Sequence, residues 1–368
     1  MSMSGLISRI TRNLSPGWEN YKALNGKGKL RWWGNFILRN SLYLGTVVLV
    51  IYVHTYSKKS GFSNFYISHL TIWDIVRRGC PALFLALGMG SVMILGGIDL
   101  SAGRILGLTA CISASLLQKP LALLSTKYFP DLAAPPVIVV LLLAIAIGAA
   151  FGAFNGIIIS RFKSPPFIAT LSTQVMLSGV ISWYVRRGVD DTYPTISGLT
   201  EEYKDFVKDY VMIRGMPTPR FVFYAIAAAA IVWFIWNKTT LGKKMCAVGA
   251  NPEAAKASGI PVVKTTIMVF TISGMLYGFS GFIEAARIGA VSHSTGVDSE
   301  LNALLACMIG GVSITGGIGK IRGIIIGVFM IQVYATALTW LSISGDMYTI
   351  IMGVLILASA VTNKKRYS

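Results

Sequence analysis

Charged residues are scarce in this sequence. Asp, Glu, Lys and Arg make up 13% of its 368 residues, about half of the roughly 25% found in an ordinary soluble domain. Intrinsic disorder is excluded as well, because disorder needs low hydrophobicity and this chain is 54% hydrophobic with a mean hydropathy of +0.64. Such a composition predicts a polytopic membrane protein if the apolar residues come in runs of about 20, and they do.

The chain also lacks the residue sets that support metal binding, disulfide formation or catalysis. Its four cysteines have no CxxC spacing, and His54, His69 and His293 are too scattered for a metal centre. No HExxH, Ser/His/Asp set, Cys/His pair or carboxylate pair occurs at catalytic spacing. We therefore predict no catalytic residues, no metal site and no cofactor in this chain, which is not expected to be an enzyme.

A phosphate-binding loop of the form GxxxxGK[ST] is missing too. Gly319-Lys320 comes closest, but Ile314 stands in place of the first glycine and Ile321 in place of the Ser or Thr. If ATP drives this protein, a separate subunit is expected to hydrolyse it.

The basic residues outnumber the acidic ones, with 33 Lys and Arg against 15 Asp and Glu. They lie mostly at the ends of apolar runs, which is typical of topology signals and lipid-headgroup contacts. A phosphate-binding face would instead cluster them on one surface. The expected partner is membrane lipid, and no nucleic acid is expected.

Ten apolar blocks follow one another along the chain. Most are long enough to cross about 30 Å of hydrocarbon at 1.5 Å per residue. Two of them, 103–118 and 300–313, are short, which favours broken or re-entrant helices. The sequence thus predicts an all-α polytopic membrane protein with about ten transmembrane helices, at 36–56, 79–98, 103–118, 134–160, 165–185, 220–236, 265–285, 300–313, 321–341 and 346–362.

The segments outside these blocks differ in charge. Residues 1–35 form a basic leader without a secretory h-region, either an interfacial helix or a disordered segment. Residues 363–368 form a basic tail. The Lys and Arg bias predicts that both termini are cytoplasmic, and it places 187–219, which is rich in acidic residues, outside.

Two glycine-rich segments resemble each other. Residues 96–103 read GGIDLSAG and residues 310–317 read GGVSITGG, each after an apolar run. Either they are a repeat with interrupted helices, as in many transporters, or glycine-rich turns coincide by chance. The predicted topology puts both copies on one side, so an inverted repeat would require one short block not to span. The helix-breaking glycines are Gly96, Gly97, Gly103, Gly310, Gly311, Gly316 and Gly317.

Polar residues within apolar runs are candidates for a substrate path. Asp99 and Glu284 are the acidic residues assigned to these runs, where an ionisable group is costly unless it has a partner or faces a cavity. Asp99 either caps a helix or both caps it and lines the path, whereas the spacing of Glu284 and Arg287 favours a helical ion pair. The candidate path residues are Asp99, Ser101 and Ser313, with Asn155, Gln174 and Gln332 as weaker candidates for which interhelical hydrogen bonding is the alternative.

The polar segment 237–264 contains a predicted short helix. Asn251 is expected to cap it, Pro252 fits its first turn, and Gly259 ends it. Small side chains allow such a helix to seat in a groove of a partner, although an ordinary loop helix is the alternative. The candidate partner-coupling residues are Asn251, Pro252, Glu253, Ala254, Ala255 and Gly259.

These motifs together resemble the ABC importer permeases. Glu253-Ala254-Ala255 followed by Gly259 resembles their EAA loop, and residues 96–103 resemble the signature of the ribose and galactose branch, more like the galactose/methyl-galactoside permeases than the ribose ones. The resemblance covers about 36–362. It implies a homodimeric permease in the bacterial inner membrane that works with a cytoplasmic ATPase carrying ATP and Mg²⁺, and with a periplasmic or lipid-anchored sugar-binding protein.

Other substrates and another class of transporter stay open. A nucleoside, ribose, an autoinducer or a branched-chain amino acid would suit the same superfamily. An ion-coupled secondary transporter is the alternative from a different class, with Asp99 and Glu284 as the coupling residues.

Overall fold

The computed structural model describes residues 43–57, 68–119, 128–129, 132–186, 195–213 and 216–367. The described chain is mostly helical. Its elements are α1 Tyr43–Ser57, α2 His69–Ile94, α3 Ala102–Leu116, α4 Val137–Arg161, α5 Pro166–Val185, α6 Glu201–Lys208, β1 Tyr210–Ile213, β2 Met216–Pro219, α7 Arg220–Lys238, α8 Thr240–Ala250, α9 Pro252–Ala257, α10 Val262–Ile288, α11 Ser299–Ile309, α12 Ile321–Trp340 and α13 Gly345–Tyr367.

Seven of these helices are long and apolar enough to cross a membrane, namely α2, α4, α5, α7, α10, α12 and α13. Three more apolar helices, α1, α3 and α11, are shorter. The sequence predicted short helices at 103–118 and 300–313, and α3 and α11 have 15 and 11 residues. The predicted basic leader, 1–35, lies outside the described residues.

Helix α2 begins ten residues earlier than the predicted block at 79, so that boundary was wrong. Ser68 caps the helix by accepting a hydrogen bond from the Thr71 backbone N–H at 3.2 Å. Its first turns carry Asp74 and Arg77, which pair at 3.8 Å with helical spacing. Their charges interrupt the apolar run, so the predicted block began after them.

Helix α10 is the centre of the bundle and packs against α2, α3 and α4. Its contact with α4 is close because glycines face each other: a Cβ built on Gly148 would collide with the carbonyl oxygen of Gly274. Close approach through small residues is a common way to pack helices in membranes. Hydrogen bonds from Ser273 Oγ to the Gly88 carbonyl (2.9 Å) and from Ser280 Oγ to the Pro81 carbonyl (3.1 Å) tie α10 to α2.

The segment predicted to lie outside, 187–219, contains α6 and an antiparallel hairpin of β1 and β2. Tyr203 of α6 is fully buried and donates a hydrogen bond to the Phe282 carbonyl near the end of α10. Glu201 pairs with Lys119 at 2.6 Å, and the two lysines beside it, Lys119 and Lys204, lower the pKa of its carboxyl. This segment is therefore a folded cap on the end of α10 farthest from α9.

Candidate functional site

The break between α2 and α3 begins at a glycine turn. The N–H groups of Gly96 and Gly97 close the end of α2 on the carbonyls of Met93 and Val92, at 2.9 and 3.0 Å. Gly96 has φ +87°, a conformation that glycine adopts without strain. The residues that follow, up to Ser101, cross the interior in non-helical form and carry Asp99.

A chain of hydrogen bonds links this break to α4 and α5. Asp99 Oδ1 accepts from the backbone N–H of Ser101 at 3.0 Å and from its hydroxyl at 2.6 Å. The Ser101 hydroxyl in turn accepts from Asn155 Nδ2 at 2.9 Å, and Asn155 Oδ1 accepts from the Thr173 hydroxyl at 2.6 Å. All four side chains are at most 1% exposed. Three sequence-predicted residues, Asp99, Ser101 and Asn155, thus meet in one buried cluster.

Two threonines of α5 complete the cluster, and sequence reasoning missed both. Besides Thr173, Thr170 lies against the break: its hydroxyl accepts from the Leu100 N–H at 3.1 Å and lies 3.2 Å from the Ile98 carbonyl. Both residues lie on one face of α5, three positions apart, which was the available sequence signal.

Glu300, at the edge of the 300–313 block, is a third acidic residue in the apolar interior and was not among the residues predicted from the sequence. It is 2% exposed, and its Oε1 accepts from Gln174 Nε2 at 3.0 Å. Its other oxygen lies against Gly103, where a Cβ would collide with it. Within the described residues, Asp99 Oδ2 and Glu300 Oε2 are buried without a hydrogen-bond partner. Gln174 therefore belongs to this carboxylate rather than to the Asn155 chain.

The second glycine-rich segment forms the same kind of turn after α11. The N–H groups of Gly311 and Val312 bond to the carbonyls of Met308 and Cys307, at 3.0 and 2.9 Å, and Gly311 has φ +78°. Gly311 is thus the structural counterpart of Gly96, whereas matching the segments 96–103 and 310–317 by sequence pairs Gly96 with Gly310. The register of the predicted repeat was one residue off.

The two turns touch each other and helix α8. The Gly317 N–H donates to the carbonyl of Ile94 at 2.8 Å. On α8, a Cβ at Gly249 would collide with that same carbonyl. Ser313 is 1% exposed and its hydroxyl pairs with Thr315 at 2.8 Å, so it belongs to this junction and not to the Asp99 cluster. We call the contact of Ile94, Gly249 and Gly317 the glycine junction.

Helix α9 has the local structure that the sequence predicted. Asn251 Oδ1 accepts from the backbone N–H groups of Glu253 and Ala254, both at 3.0 Å, and Pro252 is the first helical residue. Gly259 has φ +77° after the helix end. Every residue from 251 to 259 is exposed except Ala255, which is buried. The segment 237–264 is not an extended loop, however, because α8 fills its first half.

A cleft of about 1100 Å³ lies beside α9. It is bounded by the turn between α4 and α5 on one side and by α9 and the start of α10 on the other. Its charged lining is mainly basic, with Arg161, Lys163, Lys256 and Lys264 against one acidic residue, Glu253. This end of the molecule thus presents positive charge around an exposed small-residue helix.

Gln332 and the Glu284–Arg287 pair lie elsewhere. Arg287 makes a two-pronged ion pair with Glu284, at 2.7 Å from Nε and 2.6 Å from one terminal nitrogen, which confirms the predicted helical pair. Together with Gln332 they line a cavity of about 270 Å³ between α2, α10, α11 and α12.

The chain is similar to a known protein family. Residues 71–360 match the family model described as the permease component of the branched-chain amino acid transport system. The chain is 35% identical over 346 residues to the galactose/methyl galactoside import permease protein of Salmonella typhimurium, covering 94% of this chain and 98% of the relative.

Two further relatives are also named as import permeases. The protein of the same name from Escherichia coli is 36% identical over 303 residues, covering 82% of this chain and 89% of the relative. The ribose import permease protein of Haemophilus influenzae is 30% identical over 331 residues, covering 89% and 93%. No solved structure matches the chain.

Proposed function

Because the chain belongs to the permease-component family of the branched-chain amino acid transport system, we propose that it is the membrane-spanning permease of an ATP-driven sugar importer. The observation that carries the proposal is the identity of 35% and 36%, over most of both chains, to two galactose/methyl galactoside import permeases. We propose galactose or a methyl galactoside as the substrate, with ribose as the alternative suggested by the relative that is 30% identical.

The proposed topology has ten membrane segments in the bacterial inner membrane and both termini in the cytoplasm. Seven are the long apolar helices, and α1, α3 and α11 are the shorter ones, with α3 and α11 as broken or re-entrant segments beside their glycine turns. The permease domain covers 36–362. The end with α9 faces the cytoplasm, which agrees with the mainly basic lining of its cleft, and the α6 cap faces outside.

In this proposal, a partner protein supplies the energy for transport. Without a phosphate-binding loop, the chain is expected neither to bind nor to hydrolyse ATP. A cytoplasmic ATPase carrying ATP and Mg²⁺ would dock on Asn251–Gly259, which is capped, exposed apart from Ala255, and rich in small residues. The assembly would contain a second permease copy and a sugar-binding protein outside.

The substrate path would include the polar groups of the helix breaks, Asp99, Ser101 and Ser313. Weaker candidates are Asn155, Gln174 and Gln332, which lie within helices. Asp99, Ser101 and Asn155 form the buried cluster. In this conformation these three are fully buried. They become available only if α3 separates from α4 and α5, which fits a path that opens by alternating access.

The test is reconstitution in liposomes. Permease, ATPase and sugar-loaded binding protein should together accumulate radiolabelled galactose when ATP is hydrolysed, whereas the permease alone should accumulate none. A non-hydrolysable ATP analogue should stop uptake. No uptake of galactose, ribose or their glycosides by the full assembly would contradict the proposal.

One observation favours a second candidate, an ion-coupled transporter: Asp99 and Glu300 are two buried carboxylates, each with an oxygen that has no partner within the described residues. The same liposome experiment distinguishes the ion-coupled transporter from the ATP-driven importer. Accumulation driven by a proton or sodium gradient without the ATPase would support the second candidate and overturn the first.

A further inference from the structure

The cavity that contains Gln332 is distinct from the Asp99 cluster. It lies at the end of α10 farthest from α9, since Glu284 is 22 residues past the start of that helix, roughly 33 Å along its axis. Its volume of about 270 Å³ is just below the roughly 300–1,000 Å³ of typical small-molecule sites. It therefore has room for one small solute on the outer side of the proposed permease.

The polar side chains in this cavity have unused hydrogen-bonding capacity. Arg78 of α2, Asn302 of α11 and Gln332 of α12 all line it. Within the described residues, none of these three side chains makes a hydrogen bond or an ion pair. Asn302 and Gln332 are half-buried, so their amides converge on a confined space with two donors and an acceptor each.

The Glu284–Arg287 pair adds a fixed donor and a fixed acceptor. Because the two side chains hold each other at 2.6 and 2.7 Å, they are oriented before any solute arrives. Among the described residues that line the cavity there is no aromatic ring on which a sugar could stack. The remaining walls are small or aliphatic, among them Ala82, Ala303 and Ala306.

We propose that this cavity is a transient binding site for a neutral monosaccharide, through which the sugar passes after the binding protein releases it. Sugar hydroxyls both donate and accept, so they suit amides, a guanidinium and a carboxylate together. A few hydrogen bonds without stacking give weak binding, which a transported solute needs in order to leave. This inference rests on the proposed function and names the site that first receives the substrate.

The test measures galactose transported per ATP hydrolysed, at saturating sugar-loaded binding protein. The variants are Asn302→Leu, Gln332→Leu and the double variant. Since neither amide has a partner in the described chain, its apolar replacement strands no buried group. Thr339→Val is the control, because Thr339 is an exposed polar residue on the same helix whose hydroxyl bonds only within α12.

Each single variant should lower galactose per ATP by about two- to tenfold, the effect of one hydrogen bond, and leave stimulation of the ATPase by the loaded binding protein unchanged. A series of monodeoxygalactoses adds a signature that a structural role would not produce. The sugar lacking the hydroxyl that Gln332 binds should be transported equally by wild type and Gln332→Leu.

Unchanged galactose per ATP in the double variant, with wild-type uptake intact, would overturn this site but leave the proposed function standing. Loss of both uptake and ATPase stimulation in variants that assemble normally would also overturn it, because the two amides would then serve the coupling of the subunits rather than the sugar. If Gln332→Leu does not assemble, Gln332→Glu, which keeps an acceptor and loses the donors, serves in its place. Failure of the wild-type assembly to transport galactose would instead contradict the proposed function, and with it this inference.

Discussion

Asn155 is the residue through which the helix break is held to the rest of the bundle. It donates to Ser101 and accepts from Thr173, so a single amide connects three elements. Buried amides that satisfy both their groups in this way specify one arrangement of the surrounding helices.

Asn155→Leu should lower the thermal stability of the purified protein. The variant removes two buried hydrogen bonds at similar side-chain volume, a loss of about 1–3 kcal/mol. Thr173→Val removes one of the same bonds, so the double variant should cost less than the sum of the two single ones. Thermal unfolding in detergent measures all three, and strict additivity would contradict the connection.

Asn251→Ala should impair transport without removing the protein from the membrane. The alanine leaves the backbone N–H groups of Glu253 and Ala254 without the cap that now binds both at 3.0 Å, a loss of about 1 kcal/mol. A helix of six residues has few other sources of order. Uptake and membrane content are the measurements.

Asn251→Asp is the matched control for this cap, because aspartate accepts the same two bonds and suits a helix N-terminus. It should retain uptake. Normal uptake by the alanine variant would show that the order of α9 does not matter. Substituting Gly259 would be a poorer test of docking, because its φ of +77° strains any side chain placed there.

At the scale of helices, the contact between α4 and α10 depends on the absence of side chains. Gly148→Ala should destabilise the protein, because the added methyl group collides with the Gly274 carbonyl and the helices must move apart. Gly179→Ala on α5 is the control: nothing lies within 4 Å of the added Cβ, so this variant should be neutral or stabilising by up to about 1 kcal/mol. Equal effects of the two variants on thermal unfolding would contradict close packing at Gly148.

The sequence predicted helices best where the signal was local. The α9 cap, the Glu284–Arg287 pair and the two short helices each follow from residues within a few positions of one another. The start of α2 was missed because the charges of Asp74 and Arg77 interrupt the apolar run, and their helical ion pair is visible only in the structure.

The sequence pattern could not predict contacts between residues that are far apart in the chain. Nothing in the sequence brings Thr173 to Asn155, or Gln174 to Glu300 across 126 positions. The register of the two glycine turns depends on which carbonyl each N–H reaches, and both segments begin with two adjacent glycines. That ambiguity is why the alignment was off by one.

At the scale of the whole molecule, the glycine junction joins distant parts of the chain. Ile94 ends α2, Gly317 follows α11, and Gly249 lies on α8, directly before α9. A displacement of α9 by a docked partner would therefore reach both helix breaks through rigid backbone contacts.

Gly249→Ala should abolish uptake, because the methyl group collides with the Ile94 carbonyl and separates α8 from both turns. Gly353→Ala on α13, where nothing lies within 4 Å of the new Cβ, is the matched control and should transport normally. If Gly249→Ala transports like the control, force does not pass through this junction.

The closed hydrogen-bond chain from Asp99 to Thr173 has an electrical consequence. Its four side chains are at most 1% exposed and bond to one another, so bulk solvent does not reach them in this conformation. A permease that is not transporting sugar should then conduct neither protons nor sodium ions. Planar bilayers containing the purified permease should show no current above that of bare lipid, and a cell could hold many copies without depleting the voltage across its membrane.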